Sequence, residues 1–211
     1  MPRTDVRGGP QTRARISQVA TRLFLERGFD AVTVAEVARE AGVSSVTVFN
    51  HFPRKEDLLL DRADEATELL RSAVRDRGAG TDVLGSLGRT AIRLGAERHS
   101  LSGLSDSSVP FLRTVASSAA LVARVREIAA ELQRTLADEL RQDDAFDGDA
   151  TLLAAFFVAG YATVLAENAR RLMAGEPSSA VGGDHGARVE ALLDALRTGV
   201  AHGDREGRGE R

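Results

Sequence analysis

The chain has no cysteine, no tryptophan and a single tyrosine among its 211 residues. Without thiols it forms neither a disulfide nor a thiolate metal centre. With one tyrosine and no tryptophan, a large aromatic cage around a ligand is not expected. The four histidines, His51, His99, His185 and His202, are scattered without metal-ligand spacing, so no metal and no cofactor is expected. No apolar run is long enough to span a bilayer and no signal-peptide pattern opens the chain, which points to a cytoplasmic location and no membrane partner. Catalytic patterns are missing too. Gly103, Ser105 and Ser107 approach a nucleophile elbow but lack its final glycine and its strand-turn-helix setting, and no phosphate-binding glycine loop occurs. No catalytic residue is assigned, and the chain is not read as an enzyme.

What is there is the balance of a globular protein, with 43% hydrophobic and 28% charged residues. The net charge of −3 argues against a nonspecific coat on nucleic acid, but the charge is unevenly spread. Residues 1–60 hold nine Arg and Lys against seven Asp and Glu, and the remaining residues hold nineteen against twenty-four. Only the amino-terminal part is basic, as expected if that part alone meets phosphates.

The stretch Thr33–Lys55, TVAEVAREAGVSSVTVFNHFPRK, organises the chain. Thr33 and Glu36 have the spacing of a capping box, which fixes a helix start. Val34, Val37, Ala38 and Ala41 recur on one face, with Glu36, Arg39 and Glu40 on the other. Gly42 suits the left-handed residue that ends a helix, and Ser44 is a good cap for a second one. The chain breaks and restarts within a few residues, the spacing of a helix-turn-helix. In the second helix, Val48 and Phe52 face the core with Val43. No acidic residue lies between Val43 and Phe52, so the outer face meets phosphates without like-charge repulsion.

The run from Ala14 to Leu60, ARISQVATRLFLERGFDAVTVAEVAREAGVSSVTVFNHFPRKEDLLL, resembles the amino-terminal DNA-binding domain of the TetR family of one-component transcriptional regulators. The resemblance covers roughly residues 12–60, over a quarter of the chain. It implies that Thr33, Phe49, His51 and Lys55 contact phosphates, and that Ser45, Val46 and Thr47, with Ser44 and Asn50, face the bases. Two positions depart from the family pattern. Phe49 stands where the family usually has Tyr, which removes a phenolic hydrogen bond. Arg54 stands where a helix-capping residue usually precedes the Lys, so the next helix leans on Glu56 and Asp57 at its positive end.

Taken in order, residues 1–11 read as a disordered arm whose Arg3 and Arg7, with Arg13 and Arg15 after them, either follow a DNA groove or stay idle. A support helix follows from Thr12 to Arg27, with Ile16, Val19, Ala20, Leu23 and Phe24 inward and Phe29 closing the small core with Phe52. The DNA-binding domain is placed at residues 12–54 and a ligand-binding and dimerisation domain at 55–201. A long helix is expected from about Lys55 to Arg77, about 30 Å at 1.5 Å per residue. Further helices are expected over Asp82–Glu97, Thr114–Arg141 and Asp147–Met173, with loop and a short helix over His99–Val109. A Gly/Ser/Pro-rich break (175–186) then precedes a last helix carrying Val189, Leu192, Leu193, Leu196 and Val200. Residues 202–211 read as a disordered tail. The fold class is all-α, an amino-terminal three-helix helix-turn-helix domain plus a larger carboxy-terminal helical bundle, about nine helices in total.

The Asp147–Met173 helix is apolar on more than one side and needs two partners. The resemblance implies that the last two long helices pair with their copies, giving a homodimer that presents two reading heads to a near-palindromic double-stranded DNA operator. It also implies a repressor released by a small-molecule effector. Candidates for lining an effector site are Phe111, Phe156, Phe157, Tyr161 and Asn168, with Arg93 and His99 as polar contacts. The competing class is an all-helical dimer that binds a small molecule or a protein without specific DNA binding.

Overall fold

The computed structural model describes residues 9–78 and 80–201. Among these residues there are nine α-helices and no strand: α1 (Gly9–Arg27), α2 (Val34–Glu40), α3 (Ser45–His51), α4 (Ala63–Arg75), α5 (Val83–Ala96), α6 (Val109–Ser117), α7 (Ala119–Arg141), α8 (Ala150–Met173) and α9 (Ser178–Ala201). Short 3₁₀ turns occupy Glu56–Leu58, Ser100–Ser102 and Asp106–Ser108. Most of the expected arm, with Arg3 and Arg7, and the tail (202–211) lie outside the described residues.

The chain divides into two compact units, residues up to 63 with 110–126, and residues 64–109 with 127 onward. The sequence boundary at Arg54 therefore moves. In the first unit, α1 begins at Gly9 rather than Thr12, with Pro10 in the first turn, where its missing N–H is no loss. Ile16, Ala20, Leu23 and Phe24 form its buried stripe. Phe24 and Phe29 meet with ring centroids 4.9 Å apart, and Phe52, Val37, Val48, Leu58 and Leu59 complete the core. Phe111 and Val115 of α6 pack on this core, and Leu121 at the start of α7 is part of it.

The long helix expected from Lys55 is corrected. The chain instead makes the 3₁₀ turn Glu56–Leu58, bends through Asp61, and becomes α-helical only at Ala63. Two causes are visible. Lys55 stands at the start of the turn without a side-chain cap, and Asp57, expected to support the helix start, is taken by Arg124 Nε at 2.9 Å. Ser17 then donates to the Asp61 carboxylate and Arg13 to its carbonyl, holding the bend. The helix that remains, α4, is about 20 Å long.

The expected helix from Thr114 is also divided. Ser118 interrupts it, buried and donating to Asp30 Oδ1 at 3.0 Å, so α6 and α7 are separate helices. Along α7, Leu121 and Leu136 are buried, whereas Val125 is exposed.

The second unit is built on Val74, Leu87, Ala91, Leu136, Leu140, Leu153, Phe157, Val189 and Leu193. Helix α9 packs on both α5 and α8. Gly88 and Gly160 permit this, since a Cβ at either would stand 2.2 Å from Leu193 Cδ1 or 2.3 Å from Leu192 Cδ1. The break expected over 175–186 is mostly helix, because Val181, His185 and Val189 recur every fourth residue and are all buried. Periodic burial there overrides the glycines. Arg75 clamps the buried Glu139 carboxylate through two bonds, at 2.6 and 2.7 Å.

One more expectation is corrected. Helix α8 is long and apolar enough, by length and composition alone, to cross a membrane, with a mean hydropathy of 1.6 over its best window. It carries no charged residue from Ala150 to Ala166. Its inward side is a core face, with Leu153, Ala154, Phe157, Val158 and Val164 buried.

Candidate nucleic-acid interface

The interface begins with how α2 and α3 are held. The Thr33 hydroxyl accepts the backbone N–H of Glu36 at 3.2 Å, and the Glu36 carboxylate accepts the backbone N–H of Thr33 at 2.8 Å. These bonds keep the Glu36 carboxyl below its ordinary range, the Thr33 backbone N–H contributing most. Helix α2 closes as a Schellman motif: Gly42 takes a φ of 64°, its N–H reaches Arg39 O at 3.1 Å, and the Val43 N–H reaches Ala38 O at 2.9 Å. Ser44 then caps α3, accepting the Thr47 N–H at 3.0 Å, and the two hydroxyls sit 2.9 Å apart. Turn and cap thus fix the direction of α3 through backbone groups.

Helix α3 turns Val48, and Phe52 at its end, into the core, both buried. The outer face carries Val46, 69% exposed, Phe49, 50% exposed, and Asn50, with Ser45, Thr47 and His51 half-buried beside them. Thr33 and Ser44 are exposed at the caps. Apart from Lys55, the predicted DNA-facing positions therefore lie on α3, on its cap Ser44 and on Thr33, the cap of α2. Lys55 is half-buried, its ammonium 4.3 Å from the Phe29 ring centroid and 5.8 Å from that of Phe24, a cation–π seat that holds it at the end of the motif. Arg13 sits 4.6 Å over the Phe52 ring.

The nearest carboxylates on α2 are occupied: Glu36 pairs with Arg27 at 3.3 Å and Glu40 with Arg22 at 3.5 Å. What remains outward on α3 is free of negative charge. Sequence reasoning missed Arg22 and Arg27, which neutralise the neighbouring helix.

The five effector-site candidates fall in both units. Phe111 packs on the core of the first unit and Phe156 is 52% exposed. Phe157, Tyr161 and Asn168 belong to the interior of the second unit, where the Phe157 and Tyr161 rings stack at 6.2 Å and Asn168 meets His185. The Tyr161 hydroxyl and the Asn168 Oδ1 are buried without a hydrogen-bond partner, and burial pushes the Tyr161 phenol up to about 12. A cleft of about 380 Å³ opens elsewhere in this unit, between α4 and α5, and is lined by Ser72, Ser86, Arg89, Thr90 and Arg93. Arg93 is the one predicted polar contact there; His99 instead faces Glu65 at 3.3 Å.

Residues 16–61 match the family model described as "Bacterial regulatory proteins, tetR family". Over 75 residues the chain is 33% identical to an uncharacterized HTH-type transcriptional regulator of Haemophilus influenzae, a match covering 36% of this chain and 37% of that protein. The match thus spans little more than a third of that relative's length. Two solved structures share the fold at low identity. NalD, the secondary repressor of the MexAB-OprM multidrug efflux pump in Pseudomonas aeruginosa, is 17% identical with a TM-score of 0.58, over 89% of this chain and 96% of that one. Thermus thermophilus FadR, a repressor crystallised with lauroyl-CoA, is 24% identical with a TM-score of 0.54, over 94% and 96%.

Proposed function

Because residues 16–61 match the tetR family of bacterial regulatory proteins, we propose that the chain is a member of that family and a sequence-specific DNA-binding transcriptional regulator. It acts as a repressor in the bacterial cytoplasm, binds a near-palindromic operator as a homodimer, and releases it when a small molecule binds the second unit. The observation that carries the reading is the outer face of α3: acid-free, fixed in direction by caps at both ends of the turn, and followed by Arg54 and Lys55. Such a helix enters a major groove without repulsion, while Thr33, His51 and Lys55 take phosphates around it.

One short helix reads too few bases for a specific site, so a second copy is required. Leu152 and Phe156, each 52% exposed, stand with exposed Ala159, Ala162 and Thr163 on the side of α8 turned away from its own core. An apolar face of that kind on a helix is supported as a self-association surface. The cleft between α4 and α5 and the unsatisfied Tyr161 and Asn168 support an effector in the second unit. An effector shifts DNA binding only as far as its affinity differs between the DNA-competent and released states. The relatives named above, a repressor and a repressor with bound lauroyl-CoA, support the same reading.

The test is a gel mobility shift of the full chain on DNA flanking its own gene, at low and raised salt. Retardation of a discrete fragment that survives competitor DNA is expected. Failure to retard any fragment specifically at low salt would favour the all-helical binding module over the regulator.

A further inference from the structure

The chemistry of α3 limits which bases it reads. A guanine presents two acceptors, O6 and N7, best taken by a bidentate Arg or Lys, and cytosine presents an amino group best taken by Asp or Glu. Helix α3, SVTVFNH, carries none of these residues. Its hydroxyl complement is partly spent as well, because the Ser44 hydroxyl accepts the Thr47 N–H and lies 2.9 Å from the Thr47 hydroxyl. What stands furthest out is apolar: Val46 at 69% and Phe49 at 50% exposure, one helical turn apart, with the amide of Asn50 beside them.

Neither apolar side chain serves the fold. Valine is a poorer helix former than alanine, and both project away from the core that Val48 and Phe52 enter. The surroundings favour nucleic acid as the occupant of this face. No carboxylate lies on α3, those of Glu36 and Glu40 are paired with arginines, and Arg54 and Lys55 follow directly. In a major groove the one apolar feature on a base edge is the thymine C5-methyl, and the side-chain amide of Asn matches adenine N6 and N7.

Resting on the regulator reading above, we propose that this chain recognises its operator chiefly through thymine methyl groups packed against Val46 and Phe49, with Asn50 on a neighbouring adenine. The central bases of each half-site are then A·T pairs, and specificity is carried by apolar burial rather than by charged side chains on guanine. Each methyl removed from water contributes roughly fourfold in affinity.

The test uses the full chain and duplexes it selects from a random pool, with thymines in the enriched half-site replaced singly by uracil. This change deletes the C5-methyl and leaves every hydrogen-bonding group in place. Fluorescence anisotropy is expected to show about a fourfold loss at one or two positions per half-site. Val46→Ala should abolish the sensitivity at its own position, while Val46→Thr, which keeps a methyl, retains part of it. Both substitutions are on an exposed face and leave the core intact. An enriched half-site built on G·C pairs, or one indifferent to uracil, overturns the proposal while leaving DNA binding standing. A pool in which no sequence is enriched overturns both.

Discussion

Asn168 and His185 fix each other inside the second unit: the side-chain amide of Asn168 donates to His185 Nδ1 at 2.9 Å, while His185 Nε2 donates to the Ala91 carbonyl at 3.1 Å. A carbonyl only accepts, so Nε2 carries the proton and Nδ1 is the acceptor. The neutral tautomer therefore joins α5, α8 and α9. Protonating Nδ1 would set two donors against each other in a buried site.

That relationship predicts an acid-sensitive fold. Burial lowers the His185 pKa below its ordinary value of 6.5, and Arg188 adds to the effect against the opposing bond to Ala91. Below about pH 6.5 the unfolded chain takes up a proton that the folded chain refuses, so stability falls as the pH drops through that range. Thermal unfolding between pH 7.5 and 5.5 should show a falling midpoint, with a shallower fall in His185→Gln. Equal slopes in the two proteins would remove His185 from the account.

The same imidazole leaves little room for a side chain at Gly95. A Cβ on Gly95 would stand 2.3 Å from His185 Cδ2, on a ring held at both nitrogens, whereas one on Gly88 would stand 2.2 Å from the terminal methyl Cδ1 of Leu193. The methyl can swing aside and the ring cannot without breaking its bonds. Gly95→Ala is expected to cost about 1–3 kcal/mol, and Gly88→Ala less. Urea midpoints measure both, and the reverse order would contradict the argument.

In the first unit, Phe52 closes α3 onto the core and carries Arg13 over its ring. Phe52→Ala should cost about 3–5 kcal/mol, enough to unfold a unit of this size and abolish DNA binding with it. Denaturation followed by circular dichroism checks the first outcome and a mobility shift the second.

Lys55 tests the phosphate contacts without disturbing the base-reading face. Lys55→Ala should weaken binding to all duplexes alike and reduce the slope of log affinity against log salt by about one. An unchanged slope would mean that the ammonium stays on Phe29 in the complex and meets no phosphate.

Local chemistry was legible in the sequence, and distant partners were not. Thr33 with Glu36, Gly42 and Ser44 each announce a cap by residue type and spacing, and every one forms the expected bond. The bend after Lys55 was hidden because its cause, the Arg124 bond to Asp57, comes from a residue far along the chain. The start of α9 was hidden because Gly182, Gly183 and Gly186 signal a loop, while the partners of the buried His185 lie on other helices. Phe111 was grouped with Phe157 on aromatic character alone, and the three-dimensional partners of each place them in separate cores. Asn168 is an amide in an apolar helix, and nothing in its own neighbourhood of sequence names His185 as its partner.

The central claim is that two copies of α3 read DNA together, and footprinting of the selected duplex by the full chain tests it most directly. The account predicts protection of two inverted half-sites with centres one helical turn, about 34 Å, or a multiple of it apart on the duplex. Protection should be lost at raised salt. Uniform coverage without half-sites, or no protection at low salt, would contradict it.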